Sequence, residues 1–290
     1  MKPLLMNAVL LCILLAACGG EAGKTVQATQ ATQATQAVQA SPAAALAKPP
    51  MAKYVPPPTR PGASPLGANL PMISDYSYTP VYADLVHQAR RFGPTDHPWG
   101  GADDTVALGS DGWPVGDFGL LLLAQPGLPG TYKLSFTGQA DVALSASNDT
   151  TLVNLRYDAA QNRTTADVLR GMAGENMVLT FTHTGPGIKA LKVVRPGYDA
   201  QNPPLFTTGF LQHIARFQTL RFMDWLRTNN NAVSSWADRS TESTHYAAAT
   251  GVPWEHIIAL ANLTQKDIWI NIPARADDDY VRQLATLLKS

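Results

Sequence analysis

The sequence predicts an α/β fold interrupted by an antiparallel β-sandwich and preceded by an unfolded tether. Three observations predict it. Strand-like and helix-like patterns alternate over residues 66–127 and again over 197–290; short period-two segments fill the stretch between them; and a low-complexity run precedes both.

Residues 1–18 read as an export signal. Lys2 is followed by an apolar run over 4–14 and then by Leu15-Ala16-Ala17-Cys18-Gly19, small residues ending in a cysteine. That run is shorter than the roughly 18 to 20 residues a membrane-spanning helix needs, so cleavage and acylation of Cys18 are expected. The membrane is then a partner only through the lipid on Cys18. The glycines after the cysteine carry no acidic retention signal, so the expected anchor is in the cell envelope, in the outer membrane if the envelope is Gram-negative, facing periplasm or exterior.

Residues 19–65 repeat Ala-Thr-Gln and then turn Ala- and Pro-rich through Pro49-Pro50 and Pro56-Pro57-Pro58. Without bulky apolar residues such a segment cannot offset the entropy of ordering, and it reads as a spacer. The run from Cys18 to Lys24-Thr25 resembles a phosphate-binding loop, but no strand precedes it and no apolar helix follows, so it is read as chance.

The folded part begins at residue 66. Residues 66–73 read as a buried strand, Ser74-Asp75-Tyr76 as a turn, and 80–91 as a helix; a Gly- and Asp-rich stretch leads to an apolar run over 118–123. Over 128–196 alternation marks strands at 131–136, 140–146, 151–157, 177–182 and 188–194, separated by turn residues, which together read as an inserted sandwich. The α/β pattern resumes over 197–290. Phe210, Leu211, Ile214 and Phe217 are at helical spacing, 219–223 reads as a strand, and Pro253 opens a helix bearing Trp254, Ile257 and Ile258. A strand over 267–272 follows, and Asp277-Asp278-Asp279 starts a last helix. Alternation of this kind argues a parallel sheet with crossover helices, whose ligands bind at the carboxyl ends of the strands. A closed eight-unit barrel needs about 250 residues, whereas roughly 150 remain outside tether and sandwich. The sheet is therefore either a smaller open one or the front of a longer protein.

Composition narrows the chemistry. Lys plus Arg and Asp plus Glu each number 22, leaving no basic excess for a phosphate backbone, so nucleic acid is not an expected partner. The two cysteines, Cys12 and Cys18, fall in the signal and at the lipid, so cysteine chemistry is not expected of the mature domain. The six histidines show no metal-ligand spacing, no Gly-x-Ser-x-Gly turn stands in strand context, and no metal or cofactor is expected.

Gly67-Ala68-Asn69-Leu70 with Ile73-Ser74-Asp75, Ser110-Asp111-Gly112-Trp113-Pro114, Leu220-Arg221-Phe222-Met223-Asp224-Trp225 and Asp277-Asp278-Asp279-Tyr280-Val281 together resemble bacterial secreted proteins of glycoside-hydrolase type, often labelled cellulose-binding or carbohydrate-binding. The resemblance runs from about residue 66 to 290. It implies a (β/α)₈ barrel with an inserted β-sandwich, of which this chain carries the N-terminal part. It also implies catalytic glutamates at the ends of the fourth and a later strand. Neither position is present, since Glu21, Glu175, Glu242 and Glu255 all lie away from strand ends, so no catalytic residue is assigned.

Binding a polysaccharide or oligosaccharide asks for flat aromatic faces beside side chains that read hydroxyls. Asp75, Asp111, Trp113, Asp224, Trp225, Trp236, Asp238, Arg239 and Asn271 are the expected substrate-binding residues, while Trp254 and Trp269, inside periodic apolar patterns, are assigned to the core. The expected function is a surface-anchored carbohydrate-binding lipoprotein. The alternative is a non-enzymatic envelope protein whose sandwich meets a protein or cell-wall partner. Trp113, Trp225 and Trp236 lining one cleft would favour the first, and their dispersal the second.

Overall fold

The computed structural model describes residues 66–77, 79–101, 104–123, 128–146, 149–173, 176–246 and 248–290. The expected signal, Cys18, the tether and Glu175 lie outside the described residues. The described chain mixes helix and strand and is rich in strand. Among the described residues no helix is long and apolar enough to cross a membrane.

Three short strands, β1 (Gly67–Asn69), β9 (Thr219–Arg221) and β10 (Asp267–Trp269), form a parallel sheet with β9 in the middle. Alternation along a strand sends neighbouring side chains to opposite faces. Ala68, Leu220 and Ile268 therefore point one way, into an apolar cluster with Phe210 and Ile214 of α1 (Thr208–Ile214), Ile257 and Leu260 of α2 (Trp254–Thr264), and Tyr280 and Leu284 of α3 (Asp278–Leu287). Each helix start is legible in the chain. The Thr207 side chain accepts from the Phe210 N–H at α1, and Asp277 accepts from the Tyr280 N–H at 2.7 Å, with Asp278 and Asp279 against the positive end of α3. α2 begins behind Pro253 and stops at Gln265, whose left-handed backbone ends the helix. The indole N–H of Trp254 donates to the Tyr280 hydroxyl at 2.7 Å, tying α2 to α3 inside the core.

Between β1 and β9 the chain builds two antiparallel sheets. One has the order β2-β7-β4, from Phe118–Leu123, Asn176–Thr182 and Asp141–Ala146. The other has the order β5-β6-β3-β8, from Thr150–Asp158, Arg163–Arg170, Gly130–Thr137 and Lys189–Val194. Their inner faces share one core in which Phe118 stacks on Phe181, with centroids 4.7 Å apart, and Phe136 meets Phe181 edge-on. Residues 118–123 thus belong to the sandwich, paired along their length with β7, rather than to the α/β part. β6 is a strand that the sequence does not announce: its inward residues, Thr164, Ala166, Val168 and Arg170, are small or polar and mask the alternation.

Residues 80–91 are not the expected helix. Tyr82 bridges to Phe206 and Asp84 to Val194, and only a single 3₁₀ turn, Leu85–Gln88, forms. The Asp84 carboxylate accepts from the N–H groups of Val86 and Val193, and the Arg195 guanidinium donates to the Tyr82 carbonyl and the Gln88 side chain. Backbone groups committed to those partners are lost to a helical ladder. A further bridge joins Gly93 to Gly119, so this one segment holds both ends of the sandwich, at β2 and at β8.

Candidate functional site

The face of the parallel sheet opposite the helices carries Gly67 and Asn69, Thr219 and Arg221, and Asp267 and Trp269. Asn69, Arg221 and Trp269 sit side by side in register at the carboxyl ends of the strands. Trp269 is 58% exposed, and the Arg221 guanidinium lies 5.2 Å from the centre of its ring. The Asn69 amide donates to the Asp224 carboxylate at 2.9 Å, just past the end of β9. The assignment of Trp269 to the core is therefore reversed: in Ile268-Trp269-Ile270 the two isoleucines pack inward, and the tryptophan between them must face out. Asn271 follows two residues later with its side-chain oxygen buried and unpaired.

Other expected site residues are used differently. Trp225 is 2% exposed, packed on Phe210 and Phe222, and offers no face to a sugar. Asp75 is spent on an ion pair with Arg90 at 2.6 Å and on the N–H of Tyr76. Trp236 packs edge-on against Tyr280 beneath the Arg239 guanidinium, 4.0 Å from its ring centre, and Asp238 accepts from the Ser235 hydroxyl. Asp111 pairs with Lys189, whose hydrogen bond holds the carboxyl below the usual carboxylate range. Trp113, Trp225 and Trp236 do not share a cleft. The first lies in the sandwich core cluster, the second is buried in the α/β core, and the third packs, partly buried, on the edge of that second core against Tyr280 of α3.

A second concavity gathers residues distant in the chain. A cavity of about 420 Å³ is lined by His87 from the 3₁₀ turn, Trp113 and His245 from loops, and Glu255 and His256 from the first turn of α2. The His245 ring stacks on the Trp113 indole, with centroids 3.9 Å apart, and His87 meets His256 edge-on at 5.3 Å. Nδ1 of His256 shares a hydrogen bond with the buried Tyr82 hydroxyl at 3.0 Å. Burial first, and then the neighbouring imidazoles, push His245 down to about 4 and His256 to about 3; burial lowers His87 as well and raises the Tyr82 phenol. All three rings are thus neutral at pH 7. Glu255 pairs with Arg239 at 3.1 Å, and Glu242 also reaches the cavity. Among the described residues no group of three or more His, Cys, Asp or Glu side chains is arranged to hold a metal ion. Sequence spacing cannot find this cluster, because it is assembled by the bridges of residues 82–84 and by the docking of α2.

Comparison of the chain with protein-family models, curated proteins and solved structures finds no match.

Proposed function

We propose that this chain is a carbohydrate-binding lipoprotein, anchored through Cys18 in the cell envelope and resembling the N-terminal part of a glycoside hydrolase. The glycan lies across the open face of the parallel sheet. The observation that carries the reading is the row Asn69, Arg221 and Trp269 with Asp224 beside it. It combines an exposed indole for the apolar face of a pyranose ring with amide, guanidinium and carboxylate groups for its hydroxyls, at the strand ends where parallel sheets bind ligands. Helices on one face and a mixed polar and aromatic row on the other are also what the first three units of a (β/α) barrel would present, the row facing the barrel interior.

The reading is of binding rather than hydrolysis. Glu255 is held by Arg239 in a helix first turn and Glu242 lies in a loop, so neither stands at a strand end. Affinity electrophoresis of the described region through gels containing cellulose derivatives, xylan or other neutral polysaccharides tests it. At least one glycan should retard the protein, and Trp269→Ala should abolish the retardation without lowering Tm. Equal migration of wild type and variant in every gel would refute it.

One observation favours the alternative, a non-enzymatic envelope protein with a protein or cell-wall partner. Trp113, Trp225 and Trp236 are dispersed, and the sandwich exposes Leu155, Leu169 and Met172 to solvent. Retention on isolated cell wall that survives Trp269→Ala but is lost in Leu169→Ser would select it.

A further inference from the structure

An open cleft of about 250 Å³ is lined by Asp75 and Tyr76 from the stretch after β1, by Arg90 and Gly100 from the segment that follows, and by Arg227 from the turn after β9. Its one carboxylate is already committed. One oxygen of Asp75 accepts from the Tyr76 N–H, the other takes Nε of Arg90, and the side chain is 4% exposed. Arg227 is different: it is half-buried, and its guanidinium makes no hydrogen bond or ion pair among the described residues. Asp224, in the same turn, gives its carboxylate to Asn69 instead. The N–H of Thr228 donates to the Met223 carbonyl and that of Arg227 to the Asp224 carbonyl, a pair of bonds that closes a helical turn on a left-handed residue. Arg227 is that residue, at φ +49°. Glycine takes this conformation without strain, whereas an arginine holds it at a cost that no polar contact of its side chain within the protein offsets.

Two guanidiniums against one carboxylate leave a single positive charge on the wall of this cleft, so a single negative charge completes it. Tyr76 lines the same cleft and is 62% exposed, an aromatic face for a pyranose ring, and a guanidinium matches a planar carboxylate through paired N–H groups. We propose that the cleft binds the carboxylate of a uronic acid residue in an acidic glycan. Arg227 is the counter-charge, Arg90 a second donor, and Tyr76 packs against the sugar ring. A doubly charged phosphate fits less well, because its second charge meets Asp75 with no further cation on the cleft wall. The proposal rests on the sheet-face reading and narrows its substrate class. One turn carries both Asp224, bonded to Asn69 of the sheet-face row, and Arg227, so a neutral unit at Trp269 and an acidic unit at Arg227 belong to one glycan lying across the carboxyl end of the sheet.

The test titrates the full chain with glucuronate and with glucuronamide, which keeps the ring and replaces the carboxylate by a neutral amide, following the arginine Nε–H resonances by NMR at low salt and pH 6. It is run in the Trp269→Ala background, which removes the contribution of the sheet face, so the result stands whether or not neutral glycans bind there. Glucuronate should shift the Arg90 and Arg227 signals and bind at least about 10-fold more tightly than glucuronamide. Arg227→Gly removes the charge and suits the left-handed backbone, so it should abolish that preference without lowering Tm. Equal affinity for the two ligands, binding of neither, or a preference that persists in Arg227→Gly would each overturn the proposal. Acetate binding as tightly as glucuronate would overturn it too, by showing a bare anion site.

Discussion

The indole of Trp113 lies nearly parallel to the imidazole of His245, 14° apart in plane and 3.9 Å apart in centroid, and shields one face of that ring from water. Shielding is what disfavours the imidazolium here, so Trp113→Ala should raise the His245 pKa from about 4 toward the ordinary value. A proton NMR titration of the histidines reads this directly. An unmoved His245 would mean that the indole is not the source of its burial.

The same burial makes stability depend on pH. His245 and His256 have folded-state values of about 4 and about 3, below the ordinary 6.5, so the unfolded chain binds their protons first as pH falls. Their contribution is therefore intact above about pH 6.5, declines between there and pH 4, and levels off for His256 only near pH 3. Thermal melts across this window should show a falling Tm, and His256→Gln should flatten the fall.

Gly112 stands at φ +78°, and a Cβ built on it would lie 2.1 Å from the Ser243 carbonyl oxygen. Gly112→Ala must push away the loop that carries His245. Chemical denaturation should register a loss of roughly 1 to 3 kcal/mol. The His245 resonance should move with it, because that loop holds the ring on Trp113.

Tyr280→Phe removes the acceptor for the Trp254 indole N–H and leaves that donor buried without a partner. The cost should be roughly 1 to 3 kcal/mol in urea unfolding. The glycan retardation should be unchanged, since neither residue lies on the sheet face. Loss of retardation in a variant that is still folded would show that the α2–α3 contact shapes that face.

Much of the fold can be read from local pattern, and the exceptions have local causes. The three helices carry their own start signals in Thr207, Pro253 and Asp277, and five sandwich strands show their alternation. β6 hides because only Ala166 and Val168 of its four inward side chains are apolar, while Leu169 faces outward and blurs the alternation. Residues 80–91 have a helix-like composition, but their backbone groups are claimed by Leu205, Thr207 and Arg195, partners that no local window contains. The candidate site was legible in part. Asp224 falls just past the end of the strand read at 219–223, and Asn271, inside the strand read at 267–272, lies two residues past the end of β10; Trp269 reads as inward because an apolar triplet in a strand looks like core until its faces are separated. His87, His245 and His256 give no signal at all, being neighbours only through tertiary contacts.

The pairing of β1 with β9 across the whole inserted sandwich also sets a timetable. As the chain is made from its N-terminus, Gly67–Asn69 emerges with no strand to join, and its partner appears only after every strand of the sandwich. Residues 118–194 find all their strand partners among themselves, so the insertion is complete before its host sheet can start. The host sheet can start only with the return of Thr219–Arg221 to a strand that has waited unpaired, and until that return the earliest-made strand has an edge open to capture by another chain.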